Sequence, residues 1–258
     1  MANGKIHLYS QAEADGVRIA AQASADVLAR LCEAVTPGMS TADLDMLAES
    51  FIRDTGGKSA FLGYRGYPGY VCISINDEVV HGIGRPDRII AAGDLVSLDV
   101  GVTIGGYVGD NARTVCAGRE PGELAARLMQ TTADALQAGI DKARPGNCLN
   151  DIGATIERIV KAARFEVVRD MVGHGCGIHM HEPPEVPNYR VPGKSPTLLP
   201  GMILAIEPMV NAGTWRITID RKDGWTVRTA DGALSAHFEH QILITENDPE
   251  ILTWPKTV

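Results

Sequence analysis

The apolar positions divide the chain into stretches of helical and strand period. From Ser10 to Leu31, small and apolar residues fall at Val17, Ala20, Ala21, Ser24, Val27, Leu28 and Leu31, the spacing of one buried helix face. Ser10 or Gln11 starts this helix, Glu13 and Asp15 sit in its first turn, and Thr36-Pro37-Gly38 stops it. Ser40 caps a second helix, with Asp43 at the capping-box position. Its stripe is Leu44, Leu47, Ala48, Phe51 and Ile52, and Gly56-Gly57 end it. The period then shortens. A strand is predicted over Val71–Ile75, turned by Asn76-Asp77, with Pro86 to Ala92 at the surface. Leu95–Ile104 and Tyr107–Cys116 read as a hairpin around Gly105-Gly106.

The second half repeats this order. Glu123–Ile140 is helical, and Asp151, Ile152, Ile156, Ile159 and Val160 line another helix. Strands are predicted at Phe165–Met171, in the apolar run within Gly201–Val210 that ends at Glu207, in a turn-linked pair within Trp215–Arg228, and at Phe238–Thr245. Pro183 to Pro200 reads as a proline-rich loop. At an offset of 108 positions, Pro37, Gly38, Asp43 and Glu49 match Pro145, Gly146, Asp151 and Glu157. The same offset relates Gly93 to Gly201 and Asp99 to Glu207. The expectation is one domain over 1–258 made of two half-repeats, about 10–117 and 121–245, since neither half buries its sheet alone.

Composition narrows the function. The chain has 258 residues, 45% hydrophobic and 22% charged, within range for one large domain. A net charge of −8 without a basic cluster argues against a nucleic-acid partner. The five cysteines (Cys32, Cys72, Cys116, Cys148, Cys176) form no CxxC pair and read as reduced thiols of a cytoplasmic protein. No secretory segment or membrane span is expected.

Asp99, Asp110, His174, Glu207 and Glu239 lie in or beside strands that otherwise read as core. Taken singly, an acid in a strand is usually a solvated or ion-paired residue, and His174 between glycines is ordinary turn chemistry. Four carboxylates close together would repel one another unless cations neutralise them. One imidazole and four carboxylates suit two divalent ions such as Mn, Fe, Co or Zn, a device for hydrolysis. Spacing alone leaves open whether these residues meet.

The motifs are more specific. Gly63-Tyr64-Arg65-Gly66-Tyr67-Pro68, Cys72 to Gly82, Ser97-Leu98-Asp99-Val100, Gly109-Asp110-Asn111-Ala112-Arg113-Thr114, Gly173-His174-Gly175, His181-Glu182, Ile206-Glu207-Pro208-Met209-Val210-Asn211 and Ser235-Ala236-His237-Phe238-Glu239-His240 occur in order. In these stretches and their spacing the chain resembles type I methionine aminopeptidases, the pita-bread metallopeptidases, from about Ser10 to Thr253.

The resemblance implies an α+β pita-bread fold and removal of the initiator methionine from nascent polypeptides, at the ribosome or free of it. It implies a small second residue, which the chain's own Ala2 would satisfy. Asp99 would hold one metal, Asp110 and Glu239 would bridge both, and His174 and Glu207 would hold the other. His181 would stabilise the oxyanion, His81 would contact the scissile amide nitrogen or the following residue, and Glu207 would shuttle the proton. Tyr64, Tyr67, Cys72, Met180 and Trp225 would line the methionine pocket. A cytoplasmic monomer without membrane or nucleic-acid partners is expected.

Three positions depart from the family's pattern. Ile178 stands where relatives often carry arginine, His179 adds an imidazole, and Phe61 stands where some relatives carry cysteine. No cysteine-rich extension precedes Ser10, and the gaps between His181, Glu207 and Glu239 leave no room for the type II insertion. Two rivals remain. One is an aminopeptidase P or prolidase, which usually carries a further N-terminal domain. The other is a metal-free pita-bread binding protein, which would have lost ligands.

Overall fold

The computed structural model describes residues 4–254, so Ala2 lies outside the described residues. The first half runs α1 (Gln11–Ala34), α2 (Thr41–Asp54), β1 (Lys58–Ser59), β2 (Cys72–Ile75), β3 (Glu78–Val80), β4 (Leu95–Ile104) and β5 (Tyr107–Cys116). The second runs α3 (Glu123–Ile140), α4 (Leu149–Ala162), β6 (Glu166–Val167), β7 (Gly173–Gly175), β8 (Glu182–Val186), β9 (Ile203–Ile206), β10 (Met209–Asn211), β11 (Ile217–Ile219), β12 (Val227–Thr229), β13 (Ser235–His237), β14 (His240–Leu243) and β15 (Glu250–Ile251). It is an α+β fold whose named strand pairs are all antiparallel. The α2/α4, β1/β6 and β4/β9 pairs start at Thr41 and Leu149, Lys58 and Glu166, and Leu95 and Ile203, each 108 positions apart.

Helix starts follow local chemistry. Ser10 caps α1 and Ser40 caps α2, each exchanging hydrogen bonds with the acid three residues on, Glu13 and Asp43. At α4 the Cys148 amide donates to Asp151 Oδ2 at 2.8 Å. The anticipated α1 face is fully buried, from Val17 through Leu31. It lies on β4 and β5. Gly109 of β5 makes this approach close: a Cβ there would run into the Ala20 carbonyl.

The hydrophobic interior forms two main bodies. One joins α1 and α2 to β2 and β4 through Leu31, Leu44, Ile73 and Leu98. The other joins α3 and α4 to β9 and β14 through Leu128, Ile152, Leu204 and Ile242. A smaller cluster of Phe61, Tyr67, Cys72, Cys176 and Met180 borders the cavity described below. No helix of the described residues is long and apolar enough to cross a membrane.

Several expected bounds change. The proline-rich loop begins as a strand, β8, on the outer edge of a five-stranded sheet, where Pro183 and Pro184 need not donate to a further neighbour. The strand expected over Phe165–Met171 shrinks to Glu166–Val167. The last long strand is split: β14 begins at His240, and Glu239 makes an isolated bridge to Ala112. Ile90, in the stretch expected at the surface, is fully buried against the first core.

Gly109→Ala is therefore expected to destabilise the protein by about 1–3 kcal/mol through overpacking of α1 on β5. The check is the urea midpoint; a change below about 0.5 kcal/mol would contradict the packing described.

Candidate active site

Strand register builds the site. Asp99 of β4 faces Ala112 of β5, and Asp110 lies two residues from Ala112 on the same face. Ala112 bridges Glu239, which brings the second half's acid to the hairpin. On the other side His240 pairs with Ile206, so the next antiparallel positions, Glu239 and Glu207, face each other. His174 of β7 pairs with Ala205, two residues before Glu207 and on the same face. Four carboxylates and an imidazole thus point at one volume from five segments.

Their potential ligand atoms fall into groups mutually within 4.8 Å: Asp99, Asp110 and Glu239; His174, Glu207 and Glu239; and Asp110, His174 and Cys176. His174 Nε2 lies 3.4 Å from Glu207 Oε1 and 3.8 Å from Asp110 Oδ2. Its Nδ1 is 2.9 Å from the Gly175 carbonyl, an acceptor only, so Nδ1 carries the proton and Nε2 presents its lone pair. Asp99 Oδ1, Asp110 Oδ1 and Glu239 Oε1 are buried without a hydrogen-bond partner. Burial holds these acids up, and repulsion by the neighbouring acids adds to it at Asp110 and Glu239: Asp99 and Glu207 reach about 7, and Asp110 and Glu239 go well above the ordinary carboxylate range. His237 lowers the Asp99 value and His174 lowers that of Glu207, but burial dominates both. Orphaned oxygens, shared Glu239 and oxygen-rich donors fit divalent cations.

These groups line a cavity of about 150 Å³. His81, His181, Tyr64, Tyr67, Cys72, Met180 and Trp225 line it too. His181 stacks on Tyr64 with ring centroids 5.4 Å apart, and its Nδ1 lies 3.0 Å from the Tyr64 hydroxyl. Its ring is 4.2 Å from that of His174. Burial lowers His81 to about 4, and partial burial with the Arg65 charge nearby lowers the more exposed His181 to about 3, so both are neutral near pH 7. His81 holds a left-handed backbone, φ 60°, uncommon for a residue with a side chain. Across from it, Trp225 meets Tyr67 and His81 edge-on at 5.2 and 6.3 Å. The Tyr67 hydroxyl is 2.7 Å from the Gly82 carbonyl, which fixes that wall. Cys72 faces Asp99 across the β2–β4 ladder.

Two departures lie at the edge. His179 is exposed and is absent from the lining. The Ile178 and His179 amides both donate to Glu182 Oε1, so backbone rather than side chain fixes this turn. Phe61 lines the cavity.

Sequence reasoning gave no role to His237, which is buried with Nε2 3.7 Å from Glu207 Oε2. It did share a motif and a two-residue spacing with Glu239, the one signal that could have marked it. Asn188 was also missed; its side chain donates to the Glu207 carbonyl at 3.0 Å.

A deep acidic floor under two neutral histidines is the site of a metal-dependent hydrolase. The family model for metallopeptidase family M24 matches residues 15–246. The chain belongs to that family. It is 46% identical to a methionine aminopeptidase of Clostridium acetobutylicum, over 96% of this chain and 98% of that one. The crystal structure of methionine aminopeptidase from Thermotoga maritima superposes with a TM-score of 0.93 at 41% identity, covering 96% of this chain and 99% of that one. A prolidase from Pyrococcus furiosus shares the fold, with a TM-score of 0.77 at 21% identity, and this chain spans 66% of its length.

A pH signature follows. In chelated protein the raised acids bind protons more tightly folded than unfolded, so their stabilising contribution falls as pH rises through about 7. The lowered histidines have the opposite sign, but their titration in the unfolded chain is largely complete above about pH 7. The melting temperature of chelated protein should therefore drop from about pH 7 to 8.5, and added Mn should remove the drop. A chelated protein that gains stability over that interval would contradict the placement of the acids.

Proposed function

We propose that this chain is a methionine aminopeptidase that hydrolyses the first peptide bond of polypeptides beginning with methionine. The carrying observation is one small cavity lined at once by the acids, by both histidines and by apolar side chains such as Phe61, Met180 and Trp225. A 150 Å³ space suits one unbranched side chain, and a thioether threads where branched chains do not.

Asp99, Asp110 and Glu239 would hold one divalent ion, and His174, Glu207, Asp110 and Glu239 a second, from among Mn, Fe, Co or Zn. When bound, such ions lower the pKa of water and polarise a carbonyl. The chain's own groups do the rest. Asp99 lies at the floor beside Cys72, where the substrate's free amine would end, which restricts cleavage to the first residue. Glu207, held up to about 7, can accept a proton from attacking water and return it to the leaving amine. Tyr64 donating to His181 Nδ1 leaves the His181 proton on Nε2, ready for the developing oxyanion. His81, held edge-on to Trp225, would meet the scissile amide from that side.

The substrates would be the N-termini of nascent chains with a small second residue, met in the cytoplasm, at the ribosome or after release. Five free cysteines and a net charge of −8 support a reduced compartment and no nucleic-acid partner. A monomer of one domain is the simplest form, with the whole set of site residues supplied by one chain. No observation favours the Xaa-Pro peptidases beyond the shared fold.

Purified protein with Mn, Co or Fe should release methionine from Met-Ala-Ser and leave Xaa-Pro peptides intact. Xaa-Pro cleavage alone would favour the prolidase-like rival, and no release with any of these metals would refute the reading. In the same assay Glu207→Ala should lose at least about 10³-fold in turnover, since a ligand and a proton carrier go together. Near-normal turnover would refute its role.

A further inference from the structure

Arg65 is the one lysine or arginine among the residues that line the cavity. Arg18, Arg85 and Arg228 each hold a carboxylate elsewhere in the chain. Arg65 has no such partner among the described residues; its guanidinium lies over the Tyr64 ring at 5.3 Å. It is exposed, so it belongs to the mouth rather than the floor. The loop that presents it is tightly made. Gly63, Arg65 and Gly66 hold φ values of 81°, 50° and 88°, and Ser59 Oγ accepts from the Phe61 and Leu62 amides. Gly63 and Tyr67 close the turn with an N–H to carbonyl bond of 2.8 Å. A positive φ at an arginine is uncommon, and such strain gathers at ligand clamps.

Consecutive side chains of an extended peptide point to opposite faces, so its first and third residues share one. Tyr64 borders the cavity that would take the first side chain, and Arg65 is the next residue on that wall, toward solvent. Once cations neutralise the floor, Arg65 is the unbalanced charge the outgoing peptide meets.

We propose that Arg65 forms an anion subsite for the third residue of the substrate, favouring aspartate or glutamate there over lysine. This rests on the aminopeptidase reading. An arginine on a rigid turn can fork a carboxylate with little ordering cost.

The test is kcat/KM of the metal-loaded enzyme for C-terminally amidated Met-Ala-Glu, Met-Ala-Gln and Met-Ala-Lys. At low salt the Glu peptide should exceed the Lys peptide about fivefold, and the ratio should shrink at about 0.5 M salt. Arg65→Gln should flatten the series and Arg65→Glu should invert it. Equal values for all three peptides with wild-type enzyme, or an unchanged order in Arg65→Glu, would overturn the subsite while leaving the aminopeptidase reading intact. No methionine release from any peptide would remove both.

Discussion

Four carboxylates gathered in one cavity set the terms for the whole molecule. Asp99, Asp110, Glu207 and Glu239 converge from two sheets, and three of them keep a buried oxygen without a protein partner. Such a cluster cannot ionise fully without positive charge beside it. His174 and His237 flank Glu207, yet burial works against positive charge on His237. Divalent cations are the remaining source of charge, and the donor set suits them.

The fold is arranged to hold that arrangement against its own repulsion. Each acid sits on or next to a strand whose other positions are deep core, such as Leu98 beside Asp99 and Ile206 beside Glu207. Moving one acid outward would drag that core with it. The bridge between Ala112 and Glu239 ties the halves at the site itself, and the bond from Asn188 to the Glu207 carbonyl anchors Glu207 within the second. The acids thus sit on core strands, while the mouth is built from turns at Tyr64–Gly66 and Ile178–Met180.

Much of this was legible in the sequence because it is local. The helix start at Ser10, the capping box at Ser40, the α1 face and the β4–β5 hairpin depend on near neighbours, and each appears where its pattern predicts, with a capping box at Ser10 as well. The 108-residue offset was likewise readable as matched turn and strand residues. What was not readable depends on partners distant in sequence. Phe165–Met171 has strand composition but pairs only where β10 reaches it. Prolines disguised β8, which tolerates them as an edge. The meeting of Asp99, Asp110, His174, Glu207 and Glu239 came from the resemblance, since period cannot place five segments around one point. His237 escaped notice because a histidine amid apolar residues looks like ordinary core.

The most direct test of the central claim is the number of divalent ions bound per folded chain, measured by equilibrium dialysis with Mn or Co and elemental analysis. The account predicts two per chain at saturation, falling to one or fewer in Asp99→Asn with the fold retained. A wild-type chain that saturates with fewer than one ion, while keeping its native circular dichroism, would contradict it.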